Sequence, residues 1–236
     1  MRYVASVCKA IDMREMDVLT IDVVSDVMCP WCYIGKRRLD RAQVLVPDVE
    51  PVIRWRPFRL DATIPPEGMD RQEYLDKKFG RDKATEMYQQ IRETGEVEGI
   101  MFAFDRITKS PNTINAHRVI RWAEVGEQQD AVVERLFELY FTEGEDISQT
   151  SVLLEAAREG QMDVDLVEEV LGTDKDIEEV EKEIALAHEL GVQGVPTFVI
   201  DQQHILVGAQ RAEILADALV QISQEPDFGS EQDELD

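Results

Sequence analysis

The sequence predicts an α/β fold in which one sheet is interrupted by a large helical insertion. Segments typical of β-strands lie near both ends of the chain, and roughly half of the chain between them consists of amphipathic segments typical of helices. No internal repeat, low-complexity tract or Gly/Ser-rich linker separates these parts. One sheet completed by both ends of the chain is therefore the simplest architecture.

The first part, residues 17–62, predicts a strand, a helix and a second strand. LTIDVVSDV (19–27) is short and rich in β-branched residues, as a buried strand should be. CPWCYIGKRRLDRAQVLV (29–46) has apolar residues at helical spacing, and Pro30 suits the first turn of a helix. VIRWRPFRL (52–60) alternates apolar and basic residues through a proline, which predicts a strand near a sheet edge.

The middle of the chain predicts helices, and the β pattern then returns. Amphipathic segments punctuated by glycine, proline or capping residues predict a helical insertion over residues 63–190. PTFVI (196–200) and HILVG (204–208) predict two strands joined by a polar turn. With the closing helix RAEILADALVQI they form the second part of the α/β domain, residues 191–223. The acidic segment 224–236 is predicted to be disordered.

The charge of the chain excludes several classes of partner. Asp and Glu number 49 against 25 Lys and Arg, giving a formal net charge of −24. Such a surface repels nucleic acid and anionic lipid. The chain has no apolar run of about 18–20 residues and no signal peptide at its start, so we predict no membrane role and a cytoplasmic location. An acidic, lysine-poor surface also fits a halophile, because ~1 M salt screens self-repulsion; an ordinary acidic protein is the alternative.

Cys29 and Cys32 form a C-x-x-C pair at the start of the first predicted helix. A cysteine at a helix N-terminus lies where unpaired N–H groups and the helix dipole stabilise a thiolate. Cys32 lies on the same face one turn later, within reach of the first sulfur. The pair therefore predicts that Cys29 attacks a substrate disulfide and that Cys32 resolves the mixed disulfide. This chemistry requires no metal and no cofactor besides the redox-active disulfide.

Two other interpretations of the pair stay open. The first is half of a zinc site, which would take two more ligands from Cys8, the histidines His117, His188 and His204, or carboxylates. The chain has no second C-x-x-C motif, and its histidines lack H-x3-5-H spacing. The second is a pair of inert cysteines that pack in the core. Cys8, in the N-terminal extension, is predicted to be a free thiol.

A second signal is GVQGVPTFVI, in which Val195 and Pro196 open a predicted strand. A proline that begins a strand after a glycine-flanked turn is a natural place for a cis peptide bond. On this motif alone, a trans proline at the start of a strand is the ordinary interpretation.

The two signals together resemble the thioredoxin superfamily. SDVMCPWCYIGKRRLDRA, WRPFRL, PNTINAHRVIRWA and GVQGVPTFVIDQQHILVGAQ are similar to the FrnE-like branch of the DsbA family. That branch is related to 2-hydroxychromene-2-carboxylate isomerases and kappa-class glutathione transferases. The resemblance spans roughly residues 19–223 and implies a thioredoxin-like fold with a large all-helical insertion domain.

The resemblance also implies the site residues. It places the nucleophile at Cys29, the resolving thiol at Cys32 and a cis-proline at Pro196, preceded by Val195, in a loop that faces the cysteines and offers its backbone to an extended substrate. Pro30 and Trp31, between the cysteines, are assigned to the substrate-binding surface, where Trp31 would be exposed at the start of the helix as an apolar contact.

The implied activity is thiol-disulfide exchange with protein or small-molecule thiols and disulfides. The two related families typically carry serine at the position of Cys29 and use it with glutathione, so a glutathione-dependent isomerase or transferase is the rival, and glutathione is an alternative co-substrate. Some FrnE proteins add a second cysteine pair near the C-terminus, which this chain lacks. A non-enzymatic holdase or zinc-binding module is the alternative of another class. Whether two chains form a homodimer stays open.

Residues around the pair carry further predictions. DsbA has histidine where this chain has Trp31, and loss of that donor destabilises the Cys29 thiolate, so we predict a less oxidising couple than that of DsbA. Lys36, on the same helix, is predicted to be solvated, as are the arginines that follow it. Tyr33 is a candidate for the substrate groove, and His117 is predicted to be a structural histidine.

Overall fold

The computed structural model describes residues 18–224, apart from the side chain of Asp82. Cys8 and residues 225–236 lie outside the described residues, so the predictions of a free thiol and of a disordered tail stay predictions.

Within residues 18–224 the strands form two sheets. The strands are β1 (Thr20–Ser25), β2 (Val52–Pro57), β3 (Met69–Asp70), β4 (Lys109–Ser110), β5 (Thr197–Ile200) and β6 (His204–Val207). The main sheet has the order β2-β1-β5-β6, with β1 parallel to β2 and the other neighbours antiparallel. Both ends of the chain therefore complete one sheet, and β2 is at its edge, as predicted. The thioredoxin-like α/β fold is confirmed.

Most helices of the described chain lie between β2 and β5. The helices are α1 (Pro30–Leu45), α2 (Arg71–Lys78), α3 (Arg81–Val97), α4 (Ile114–Ala123), α5 (Gln129–Glu138), α6 (Thr150–Glu159), α7 (Val164–Leu171), α8 (Ile177–Glu189) and α9 (Ala212–Ser223). None of these helices combines the length and the apolar character that a membrane span requires. The proposed boundaries at residues 62/63, 190/191 and 223/224 stay predictions.

Side chains of β1 point alternately to the two faces of the main sheet, and each face packs against a different part of the chain. Ile21 and Val23 point into the main hydrophobic core, and Val24 points to the opposite face of the strand. On that face Val24 packs with Phe58 and with Ala187 of α8. Helix α1 packs against α9. The end of β1, which leads to the cysteines, therefore packs against the main core on one face and against Phe58 and α8 on the other.

A small second sheet in the insertion was not predicted. Strands β3 and β4 pair antiparallel through Met69 with Ser110 and Asp70 with Lys109. Each strand has two residues, too few to show the alternation by which strands are predicted from sequence.

Candidate active site

The structure places Cys29 at the N-terminus of α1 and Cys32 within the first turn. Cys29 has an extended backbone, with φ −93° and ψ 114°, and precedes Pro30, the first helical residue. Its amide donates to the Asp26 carbonyl at 2.9 Å, and its carbonyl accepts from the Cys32 amide at 3.0 Å. The missing N–H of Pro30 is one that a first helical turn leaves unpaired, so the proline suits this position.

The two thiols are both free and both buried. Burial is the largest effect that raises the pKa of Cys32 well above its ordinary value, and the neighbouring Cys29 adds to it. The Ser25 hydroxyl and the backbone of Asp26 act in the opposite direction. Cys32 therefore holds its proton at neutral pH, which suits a thiol that acts second.

The loop before β5 faces the nucleophile position. The Val195–Pro196 peptide bond is cis, and Cys29 Sγ lies 3.7 Å from the Val195 carbonyl oxygen. The loop is fixed by its own contacts: Thr197 Oγ1 donates to the Gly194 carbonyl at 2.7 Å, and the Gly208 amide donates to the Pro196 carbonyl at 2.7 Å. The structure thus brings together the distant sequence motifs that contain Cys29 and Pro196.

Gly35 allows this close approach and was missed by the sequence analysis. A Cβ atom at residue 35 would lie 2.7 Å from Pro196 Cγ and 3.4 Å from Phe198 Cζ. Real Cβ atoms do not approach a ring carbon so closely, so the proline ring needs glycine beneath it. The sequence did contain a signal, because Gly35 lies inside a predicted helix. Glycine there lowers helix stability by about 1 kcal/mol relative to alanine, so its presence often indicates a close packing contact.

Asp26 is a second missed residue. Its carboxylate is fully buried and accepts from the Leu60 amide at 2.8 Å and the Met28 amide at 3.3 Å. These bonds hold the loop before Cys29 against the chain that follows β2. His117 Nε2 lies 2.9 Å from the Phe58 carbonyl oxygen, so His117 is bonded within the structure, as its structural interpretation requires.

Two aromatic residues of α1 have different environments. Trp31 is half-buried and packs against the core with part of its surface exposed. Tyr33 is fully buried and stacks on Phe137 with ring centroids 5.0 Å apart. The prediction that Tyr33 lines a substrate groove is therefore wrong, because its ring belongs to the aromatic core between α1 and α5.

The prediction that Lys36 is solvated is also wrong. Its side chain is buried, and Nζ lies 3.1 Å from Asp40, 3.0 Å from Asp130 and 3.2 Å from Glu134. Burial lowers the pKa of Lys36, but the three carboxylates more than reverse this, so its pKa is raised. Lys36 is a buried cation that joins α1 to α5.

A cavity of about 550 Å³ lies beside α2 and α3 and contains three arginines in its lining. Arg71 is buried, and its guanidinium donates to the phenol oxygens of Tyr140 at 2.9 Å and Tyr88 at 2.6 Å. Burial raises the pKa of Tyr88, and the positive charge of Arg71 acts in the opposite direction.

No group of three or more His, Cys, Asp or Glu side chains in residues 18–224 is arranged to share a metal ion. The zinc interpretation of the cysteine pair therefore finds no matching cluster in that range. Cys8, one of its candidate ligands, lies outside it.

Comparison with known proteins identifies the family. A model of the DSBA-like thioredoxin domain matches residues 20–220. The chain is similar to a probable DsbA oxidoreductase from Streptomyces coelicolor, with 26% identity, a TM-score of 0.80 and coverage of 88% of this chain and 91% of the other.

Two further solved structures share the fold. A 2-hydroxychromene-2-carboxylate isomerase is 18% identical with a TM-score of 0.67, over 86% of this chain and 96% of that one. The cytosolic disulfide reductase DsbM from Pseudomonas aeruginosa, in its structure with GSH, is 20% identical with a TM-score of 0.60, over 86% of this chain and 99% of that one. The resemblance noted in the sequence is thereby confirmed. The chain belongs to the DSBA-like thioredoxin domain family.

Proposed function

We propose that this protein is a thiol-disulfide oxidoreductase of the DsbA/FrnE type that exchanges disulfides through the Cys29–Cys32 dithiol. The observation that carries the proposal is the position of Cys29, at a helix N-terminus and with its sulfur 3.7 Å from the Val195 carbonyl. A helix N-terminus favours a thiolate, and thiolates are the nucleophiles of disulfide exchange.

The proposed reaction has two steps. The Cys29 thiolate attacks one sulfur of a substrate disulfide, forms a mixed disulfide and releases the other sulfur as a thiolate. Cys32 then loses its proton and attacks Cys29, so that a Cys29–Cys32 disulfide forms and the second substrate thiolate leaves. Two electrons pass from the dithiol to the substrate. The reverse sequence oxidises a substrate dithiol, and neither direction uses a cofactor besides the disulfide.

The substrate would lie along the Val195–Pro196 loop. The backbone of this loop is next to the nucleophile, where an extended peptide can pair with it. Trp31 offers the apolar contact, because the residue is partly exposed two positions after Cys29, and Pro30 fixes the start of the helix. Protein and small-molecule thiols or disulfides are the proposed partners.

An insulin-reduction assay with dithiothreitol tests the activity. The unmutated protein should accelerate the precipitation of reduced insulin chains, and Cys29→Ser should abolish the acceleration. Cys32→Ser should trap a mixed disulfide on Cys29, visible as a mass increase that dithiothreitol removes. Cys8→Ser is the matched control and should match the unmutated protein. Activity that survives Cys29→Ser would refute the proposal.

A glutathione-dependent isomerase or transferase is the second candidate. The shared isomerase fold and the arginine-containing cavity beside α2 and α3 favour it, since glutathione carries two carboxylates that arginine binds well. This candidate predicts turnover of an aromatic substrate with glutathione that survives Cys32→Ser but not Cys29→Ser. Glutathione is also the proposed alternative co-substrate of the dithiol reaction, and Arg81→Gln, at the exposed arginine of the cavity lining, should then raise the KM for glutathione with little change in kcat.

Location, assembly and the third alternative have their own tests. We propose a cytoplasmic location, because the chain begins with no signal-peptide pattern and shares its fold with the cytosolic reductase DsbM, and cell fractionation would test it. Analytical ultracentrifugation would decide whether two chains form a homodimer. Stoichiometric zinc in the purified protein, together with no insulin reduction, would favour a metal-binding module or holdase.

A further inference from the structure

An apolar groove lies between α8 and the main sheet, on the face to which Val24 points. Its volume is about 590 Å³. Leu186 and Leu190 of α8 line one side, and Val24, Val199 and Ile205 of the sheet line the other. Leu186 is 51%, Leu190 72% and Ile205 60% exposed. Exposed apolar side chains that line one concave site indicate a surface to which something binds.

The segment that precedes Val18 joins the fold next to this groove. The Asp201 amide donates to the carbonyl of Thr20, the first residue of β1, at 2.8 Å. Asp201 begins the turn between β5 and β6, and the next residue, Gln202, lines the groove. Asp22, two residues after Thr20, lines it as well. Residues 1–17, which lie outside the described residues, are therefore tethered beside the groove.

The sequence of this segment has apolar residues at helical spacing. Val4, Val7 and Ile11 recur at intervals of three and four residues, so on a helix they would share one face, together with Cys8. Ser6 would lie on the opposite face. A helix over residues 3–11 would be about 13 Å long. Residues 12–17 can span up to about 20 Å when extended, so this tether lets the apolar face reach the groove.

The charge of the segment is opposite to that of the rest of the chain. Arg2 and Lys9 are the charged residues of 1–11, which contain no Asp or Glu. Helix α8, which forms one side of the groove, carries five glutamates and one lysine. A second copy of the chain would bring another net charge of −24 to this acidic helix. Charge therefore favours the segment over a second copy.

We propose that residues 3–11 of this chain cover the groove and bury Val4, Val7 and Ile11 against its apolar lining. The contact is made within one chain, and the tether supplies a high effective concentration, so a short segment is sufficient. This inference goes beyond the proposed thiol-disulfide activity and does not depend on it.

A covered groove would also support the Val195–Pro196 loop. Val192 lines the groove, and Val192 and Val195 pack against the same small hydrophobic cluster, to which Val24 belongs. The segment should therefore stabilise the part of the fold that adjoins this loop.

Disulfide trapping tests the contact directly. The full chain is used with Cys29→Ser and Cys32→Ser, so that Cys8 is its only natural thiol. A second thiol is introduced on one side of the groove by Leu190→Cys, or on the other side by Ile205→Cys. Under mild oxidation, an intramolecular disulfide with Cys8 should form in at least one of these two variants. Mass spectrometry of tryptic peptides without reduction measures its rate of formation.

Val44→Cys in the same background is the matched control, because Val44 is 79% exposed but lies on α1, outside the lining of the groove. The faster groove variant should form the bond about ten-fold faster than this control, because docking raises the effective concentration of the two thiols. Equal rates in all three variants would overturn the proposal. A disulfide between two chains would overturn it in favour of a second copy at the groove.

A second pair of variants tests whether Val7 is buried. Val7→Asp should lower the melting temperature and raise the fluorescence of 8-anilinonaphthalene-1-sulfonate, which binds exposed apolar surface, by about two-fold or more. Ser6→Asp adds the same charge one residue away, on the opposite face, and should match the unmutated protein in both measurements. Equal effects of the two substitutions would overturn the proposal.

Discussion

The two cysteines of the motif differ in environment although they lie three residues apart. Cys29 stands at the helix N-terminus and contacts the Val195 carbonyl, whereas Cys32 lies inside the first turn with a raised pKa caused mainly by burial. A pair with one thiol at a helix N-terminus and a protonated thiol one turn behind it is suited to sequential attack.

This difference predicts selective alkylation. In the reduced protein with Cys8→Ser, limiting iodoacetamide at pH 7.5 should label Cys29 and leave Cys32 unlabelled, because only thiolates react and the raised pKa keeps Cys32 protonated. Peptide mass spectrometry would measure both sites. As a control, Cys29→Ser should show labelling of Cys32 that becomes appreciable only above pH 9. Equal labelling of the two sulfurs at pH 7.5 would contradict this account.

Gly35 gives a second prediction at this scale. Gly35→Ala should destabilise the protein by about 1–3 kcal/mol through overpacking against Pro196, partly offset by about 1 kcal/mol of improved helix propensity. It should also slow insulin reduction, because the proline loop must shift. Urea unfolding measures the first effect. Gly194→Ala, in the same loop with no atom within 4 Å of the added Cβ, is the control and should change stability by less than about 0.5 kcal/mol. A stabilised Gly35→Ala would count against the proposed packing.

Sequence reasoning identified the residues with strong local signals and missed those whose role depends on distant partners. Cys29 and Pro196 stand out because their motifs have a defined position at the start of a helix and a strand. Asp26 and Lys36 do not, because a charge is buried only when its partners are present. For Lys36 one of those partners, Asp130, is 94 residues away.

At the scale of elements, α1 is fixed to the helical insertion by an ion network. Lys36 meets Asp130 and Glu134 of α5, and Tyr33 stacks on Phe137 of the same helix. The helix that carries the cysteines is therefore tied to α5 as well as to the sheet and α9.

Removing the central cation should loosen this connection. Lys36→Met leaves three carboxylates without their shared partner and should cost about 2–4 kcal/mol, less than the roughly 3–5 kcal/mol for a fully buried pair because the carboxylates reach solvent. Urea unfolding would measure the loss. Lys182→Met removes an exposed lysine that also contacts two glutamates, and should leave the free energy of unfolding nearly unchanged. Similar losses for the two variants would show that burial of Lys36 is unimportant.

Secondary structure was predicted best where the local pattern is strong. Predicted strands at 19–27, 52–60, 196–200 and 204–208 agree with β1, β2, β5 and β6 to within three residues at each end. The insertion was predicted only as a helical region, and the pattern is weak in α3, because RDKATEMYQQIRETGEV has few apolar residues to mark a buried face. Strands β3 and β4 were missed because their pairing joins segments far apart in sequence.

At the scale of the whole molecule, the net charge of −24 lowers the stability of the folded protein, because its acidic side chains repel one another. If the acidic surface is adapted to high salt, molar KCl should raise the melting temperature relative to 0.1 M KCl. The Debye length at 1 M salt is about 3 Å, so most of the repulsion between surface charges is screened. Differential scanning fluorimetry across a KCl series would measure it, with equal osmolality of sucrose as the control. No gain in melting temperature would refute the halophile prediction.

The redox midpoint potential tests the central claim most directly. The Cys8→Ser protein would be equilibrated in glutathione buffers of known potential, quenched with acid, and analysed by mass spectrometry for the fraction with a Cys29–Cys32 disulfide. We predict a two-electron transition at a potential more negative than the roughly −120 mV of DsbA, because Trp31 replaces the histidine that stabilises the DsbA thiolate. Failure to form that disulfide in any buffer would contradict the dithiol assignment, and a potential at or above about −120 mV would contradict the role given to Trp31.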